Sequence, residues 1–216
     1  MHIRKTYKQV AKRPSSFLQL FEGLDGRRSV NESNYTQYVT TYGEITEQGI
    51  HQCSKFFQKY LPLEKVQVQN RTFYDLGCGV GKFVIGMSFL HPQIRSIGIE
   101  VVKERVQEAC IALSRVASKS IQQRCGFCEG SFLDPKFSYT NACYIFISNL
   151  CFREDTQRAL VEKLGRELPM GAVLICSKAL TNAPENGFEL KEEAQIPMTW
   201  TVNSQIRIYQ KAATTA

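Results

Sequence analysis

The chain has 216 residues, carries a formal net charge of +7, and is 43% hydrophobic and 22% charged. That balance describes one globular domain with a sizeable core and excludes wholesale disorder, a collagenous fibre or a repeat array. No apolar run approaches the ~18 residues of a membrane span, the start does not read as a secretory signal, and eight cysteines without such a signal suit free thiols in a reducing compartment.

Residues 1–43 are polar and weakly periodic and read as loops and short helices. Residues 1–30 hold seven basic side chains (Arg4, Lys5, Lys8, Lys12, Arg13, Arg27, Arg28) against Glu22 and Asp25. Such an end attracts a polyanion or is simply solvated. From Ile45 to Leu61 the apolar residues Ile50, Cys53, Phe57 and Tyr60 recur on one helical face, which Pro62 ends. A polar linker, residues 63–70, follows. Strand and helix then alternate. Residues 71–76 form a strand, 77–81 a glycine turn and 82–91 a helix. Residues 96–100 form a second strand and 103–118 a second helix. A third strand lies near Gly126–Glu129 and a fourth over 141–148. A helix spans Thr156–Leu168 and a fifth strand 171–178. Phe188–Ile196 and Ser204–Gln210 read as two strands with no helix between them, an antiparallel edge pair. The pattern gives an α/β fold, a doubly wound and mostly parallel sheet. Residues 1–70 form an N-terminal region, and residues 71–211 the core.

The most informative segment is Asp75-Leu76-Gly77-Cys78-Gly79-Val80-Gly81. It follows an apolar strand and opens a helix, and its glycines let the backbone turn sharply beside a ligand. The G-x-G-x-G spacing with a preceding acid differs from the dinucleotide fingerprint, and no G-K-[ST] supports a P-loop. A carboxylate there suits a cationic group, such as the amino end of S-adenosylmethionine. Glu100 ends the second strand, where an acid accepts hydrogen bonds from ribose hydroxyls. A nicotinamide enzyme would share that acid, but the loop spacing and the terminal strand pair stand against it. Phe132 follows the third strand and can stack on adenine or pack in the core.

Four further segments join the glycine loop: Tyr42-Gly43-Glu44, Gly130-Ser131-Phe132-Leu133, Ile145 to Phe152, and Ser177-Lys178 followed by Met198-Thr199-Trp200-Thr201. In order and spacing, over roughly residues 35–210, they resemble the non-SET histone lysine methyltransferases named for disruption of telomeric silencing. The resemblance implies a class I methyltransferase fold and S-adenosyl-L-methionine as cofactor. It makes Tyr42, Gly43 and Glu44 a loop closing over the methionine half of that cofactor. Asp75, Gly77 and Gly79, with Gly81 and Lys82 behind them, would hold its amino acid end. Glu100 would take the ribose, and Ser131 and Phe132 the adenine. Ser148 and Asn149 would flank the sulfonium, and Phe152 and Trp200 would wall a lysine channel, with Tyr42 closing the reacting centre. The family's histone enzymes usually carry Asp at the position of Ser131 and Asn at that of Ser148. The aromatic hydroxyl of their channel has a counterpart in Tyr209 only across a gap.

The implied activity is methylation of a protein lysine, on a core histone in nucleosomes, by a monomer with no membrane contact. Residues 1–30 are the candidate nucleic-acid contact. The location follows the substrate: nuclear for chromatin, cytoplasmic otherwise. A ribosomal or translation-factor lysine, an RNA substrate, or a basic nucleic-acid-binding module on the same fold are the alternatives. No metal is expected: Cys125 and Cys128 form a lone pair, and the three histidines are scattered. Cys151 lacks the preceding proline of a cytosine-methylating nucleophile.

Overall fold

The computed structural model describes residues 16–27, 31–36, 38 and 41–212. Most of the basic cluster, Arg4 to Arg13 and Arg28, therefore lies outside the described residues. The elements run α1 (Glu47–Tyr60), β1 (Thr72–Leu76), α2 (Lys82–Leu90), β2 (Arg95–Glu100), α3 (Lys103–Ser114), α4 (Lys119–Arg124), β3 (Cys125–Glu129), β4 (Ala142–Ile147), α5 (Glu154–Glu167), β5 (Val173–Cys176), β6 (Phe188–Met198) and β7 (Thr201–Lys211). The sheet order is β3-β2-β1-β4-β5-β7-β6. The first five strands are parallel, and β7 runs antiparallel to both β5 and β6. The expected α/β sheet with an antiparallel terminal pair is what forms.

The central strands are apolar runs because helices cover both sheet faces. All residues of β1, β4 and β5 are buried. Along β4 the side chains alternate between two cores. Ile145 and Ile147 pack with Leu160, Leu164 and Leu174 beneath α5. Phe146 packs with Ile50, Phe57, Phe83 and Ile208 on the α1 and α2 side. Thr46 caps α1 by accepting from the Gly49 amide at 3.1 Å, and Phe57 on its buried face stacks on Tyr144 with centroids 4.5 Å apart. Residues 16–27 are not a loose end: Leu20 and Phe21 are buried against Val80, Ile85, Ala112 and Val116.

The helix expected over 103–118 ends at Ser114, and a further short helix, α4, begins beyond that range at Lys119. Ser114 turns its hydroxyl back onto the Ile111 carbonyl, and Ser118 caps α4 by accepting from the Ile121 amide. Gln122 then donates to the carbonyls of Leu113, Ser114 and Val116, at and just beyond the end of α3. The terminal strands run longer than the sequence suggests. β6 and β7 continue to a tight turn at Thr199 and Trp200, which projects those residues over the sheet's carboxyl edge. Strand order reverses at β1, flanked by β2 and β4, so the crevice where α/β sheets bind ligands opens beyond the end of β1. Among the described residues, no helix is long and apolar enough to cross a membrane.

Candidate active site

At the end of β1 the chain folds back on β2: the amides of Gly77 and Cys78 both donate to the Ile99 carbonyl, at 2.8 and 3.1 Å. Gly77 has φ +89° and Gly79 φ +53°, in the left-handed region that favours glycine. A β-carbon on Gly77 would project into open space, so the backbone there is bare to a ligand. Gly81, expected among the cofactor contacts, does not line the cleft. It opens α2 at φ +82°, where a β-carbon would lie 2.5 Å from the Phe127 ring. Its smallness serves the packing of α2 on β3.

Two buried carboxylates stand beside this loop. Glu100 accepts from the Gly79 amide at 2.9 Å and from the Val102 amide at 3.0 Å. Those two bonds leave further lone pairs for a hydroxyl-bearing ligand. Asp75 is pushed up to about 8 by burial and then by the negative Glu100. A cation placed against Asp75 relieves both causes.

Tyr42, Gly43 and Glu44 form the roof. Tyr42 donates to the Glu44 carboxylate at 2.6 Å, and Glu44 pairs with Lys82 at the start of α2. Burial and the negative Glu44 push the Tyr42 phenol well up, so it stays a donor. The roof is stitched to the β6–β7 turn. The Glu44 amide donates to Thr199 Oγ1 at 3.0 Å, the Thr199 amide donates to the Glu44 carbonyl at 2.8 Å, and Ile45 bridges to Met198. Gly43 lies directly beneath Trp200, whose ring a β-carbon would overlap.

These parts enclose one cleft of about 550 Å3, within the range of small-molecule sites. Tyr42, Gly43, Glu44, Asp75, Gly77, Gly79, Lys82, Glu100, Ser131, Phe132, Ser148, Phe152 and Trp200 all line it. Phe132 is stacked on Phe152, centroids 5.3 Å apart, so one ring face is already covered. Ser131 Oγ accepts from the Leu133 amide and shapes the turn after β3. Asn149, expected beside the reacting centre, is not in the wall. Its amide accepts from the Lys178 amide at 2.7 Å and donates to Gln157 and to the Lys178 carbonyl. That side chain is buried and spent on joining β4, α5 and the exit of β5. Tyr209 is also remote: its hydroxyl accepts from the Leu180 amide inside the core. Sequence reasoning missed Arg27, Arg105, Phe146 and Met198, which line the cleft too. Among the described residues no cluster of three or more His, Cys, Asp or Glu could hold a metal.

The cleft suits S-adenosylmethionine in chemistry: buried carboxylates at one end, bare glycine backbone beside them, an aromatic patch, and an apolar opening. Residues 28–205 match the family described as Histone methylation protein DOT1. A protein-lysine N-methyltransferase of Saccharolobus islandicus (strain REY15A) is 26% identical over 121 residues, 56% of this chain and 70% of that one. A tRNA (guanine-N(7)-)-methyltransferase of Leuconostoc citreum (strain KM20) is 35% identical over 89 residues, and this match spans 41% of the chain but only 33% of that relative. Among solved structures, the magnesium protoporphyrin IX methyltransferase ChlM of Synechocystis PCC 6803 with bound SAM superposes with a TM-score of 0.59 at 13% identity, covering 85% of this chain and 93% of that one. An RNA methyltransferase of Salinibacter ruber in complex with S-adenosyl-L-homocysteine gives 0.52 at 16% identity, with 73% and 91% covered. These two likenesses show the fold. With two thirds and more of its length matching one family and a cleft of this chemistry, the chain belongs to the DOT1 histone methylation family and is an S-adenosylmethionine-dependent methyltransferase.

Proposed function

We propose that the protein is a lysine N-methyltransferase that acts on a core histone in nucleosomes. The observation that carries this reading is the far end of the cleft. There Phe146, Phe152, Met198 and Trp200 give an apolar, aromatic lining to the same cleft that the glycine loop and Ser148 line. The DOT1 family match and the protein-lysine relative support the same substrate class.

S-adenosylmethionine, when bound, supplies a methyl group on a positively charged sulfur. Asp75 would meet its amino group, with the bare backbone of Gly77 beside it and Gly79 under the Tyr42 ring. Glu100 would take the ribose hydroxyls, Phe132 and Ser131 would face the adenine, and Tyr42 and Glu44, held by Lys82, would close the roof. The residues of the opening act on the lysine. A free lysine amine has a pKa of ~10.4, so only on the order of one in a thousand is neutral at pH 7. An apolar channel penalises the ammonium and depresses that pKa, and the adjacent positive sulfur depresses it further. Phe152 and Trp200 present ring faces to the incoming ammonium. They fix the chain's approach, so alignment replaces a strong general base. Ser148, just after β4, offers a hydroxyl to orient the amine.

The match to a tRNA methyltransferase and the net positive charge favour RNA as the second reading. One assay separates the two. Labelled methyl donor is supplied with nucleosomes, free histones, ribosomes or bulk RNA, and the labelled product is identified by mass spectrometry. The expected product is methyl-lysine on a nucleosomal histone. Label confined to RNA overturns the lysine reading, and label confined to ribosomal protein keeps the lysine and overturns the histone. Deleting residues 1–15 removes five basic side chains while leaving the packed segment 16–27. We expect a loss of nucleosome activity that deepens with salt, and unchanged cofactor affinity.

A further inference from the structure

We infer that Arg105 is a positioning residue that clasps two N-terminal pieces, residues 24–27 and 41–44 (together the strap), over the cofactor cleft, so that retention of the cofactor depends on it. The inference rests on the reading that S-adenosylmethionine lies between the strap and the glycine loop.

Arg105 stands on α3, just past the end of β2, with its side chain only 6% exposed. A buried cation of this kind requires specific partners. Its Nε donates to the Gly26 carbonyl at 2.8 Å, and its Nη1 lies 3.9 Å from Glu100 Oε1. Its guanidinium lies over the Tyr42 ring, 4.5 Å from the centroid. One side chain thus joins two separate pieces of the strap to the carboxylate at the end of β2. The two pieces are themselves in contact. A β-carbon on Gly26 would sit 2.5 Å from the Tyr42 ring, and Arg27 donates to the Tyr42 carbonyl at 3.2 Å. The other side of the circuit closes on the glycine loop. A β-carbon on Gly79 would meet the same tyrosine ring at 2.7 Å, and the Gly79 amide donates to Glu100. Glu100, Arg105, Tyr42 and Gly79 therefore form a ring of contacts around one edge of the cleft.

The geometry needs arginine. A lysine keeps the charge near Glu100, but an ammonium cannot donate sideways to Gly26 while lying flat on Tyr42. The strap also continues into Gly43, directly under Trp200, so release at Arg105 reaches the opening where the amine enters. Trp200 is the only tryptophan in the chain and reports that movement.

The test follows Trp200 fluorescence while S-adenosylhomocysteine dissociates from wild type, R105K, R105M, Y42A and the R105M/Y42A double variant. Urea unfolding of each ligand-free protein runs alongside. We expect R105K and R105M to release the ligand at least about tenfold faster, from losing a buried cation–π contact and a charge-assisted hydrogen bond. The double variant should release it no faster than Y42A, because both changes open the same clasp. Wild-type release rates in folded R105K overturn the inference, even if R105M fails to fold. Effects that multiply in the double variant also overturn it, since a merely structural arginine lowers the urea midpoint independently of Tyr42. If calorimetry shows that wild type does not bind S-adenosylhomocysteine, the cofactor reading itself fails and the clasp falls with it.

Discussion

Asp75→Asn separates what the buried carboxyl costs the empty protein from what it contributes with a cation bound. The carboxyl is pushed up to about 8 from an ordinary 3.8. The folded-state value is raised, so the unfolded chain gives up its proton near 3.8 while the folded chain keeps it until about 8. Between those limits unfolding releases a proton, and stability falls as pH rises. The slope is at most about 1.4 kcal/mol per pH unit, which amounts to roughly 4 kcal/mol between pH 4 and pH 7. Asparagine has no such ionisation. Urea unfolding of ligand-free wild type and D75N across pH 4.5–8.5 should therefore show the variant gaining on wild type steadily up to about pH 8, then running parallel. Ligand binding should move the other way. A cation against Asp75 requires the carboxylate, so S-adenosylmethionine affinity should weaken as pH drops below about 8, by up to roughly tenfold per unit. Binding should release a proton, measurable by calorimetry in buffers of different ionisation heat. In D75N the affinity should be low and nearly flat with pH. A wild-type affinity that is constant from pH 6 to 8.5, or a stability difference that ignores pH, would refute this account of Asp75.

Three further variants probe other walls of the cleft. Glu100→Ala should cost at least about tenfold in S-adenosylmethionine affinity by calorimetry, since each charge-assisted hydrogen bond contributes ~1.5–3 kcal/mol, while circular dichroism shows the fold retained. Gly43→Ala should push Trp200 aside, shift its emission, and reduce methyl transfer more than cofactor affinity, because the β-carbon overlaps the ring. Asn149→Ala should lower unfolding stability by about 2–4 kcal/mol through three lost buried hydrogen bonds. A loss of activity in well folded N149A instead would return that residue to the reacting centre.

The half of the molecule around the glycine loop is legible in the sequence because its signals are local. An apolar strand, positive-φ glycines and a strand-end acid each act within a few residues, and together they bring Asp75, Gly77 and Glu100 to one cleft. The break between α3 and α4 is not legible, because it is fixed by Gln122 reaching back to carbonyls of the preceding helix. Asn149 shows a different failure. A family position locates it in the chain, but only the packing of β4 against α5 shows that its amide is already engaged. Arg105 is hidden most thoroughly. Its meaning depends on Gly26, 79 residues earlier in the chain, and on a tyrosine ring that no periodicity brings near it. Trp200 was recognisable as a motif, whereas its place at a hairpin tip over Gly43 comes from two strands that extend further than their apolar residues indicate.

The seam between Glu44 and Thr199 also dictates when the protein can become an enzyme. Its partners are 155 residues apart in the chain, and contacts of such separation form after local ones because the loop between them must first be closed. On a ribosome, everything the cleft needs for its floor has been synthesised once Phe152 emerges. The lid still lacks the hairpin to which it fastens. A nascent chain can therefore assemble both carboxylates and the glycine loop and remain open. The cleft closes only after the turn at Thr199 has been made.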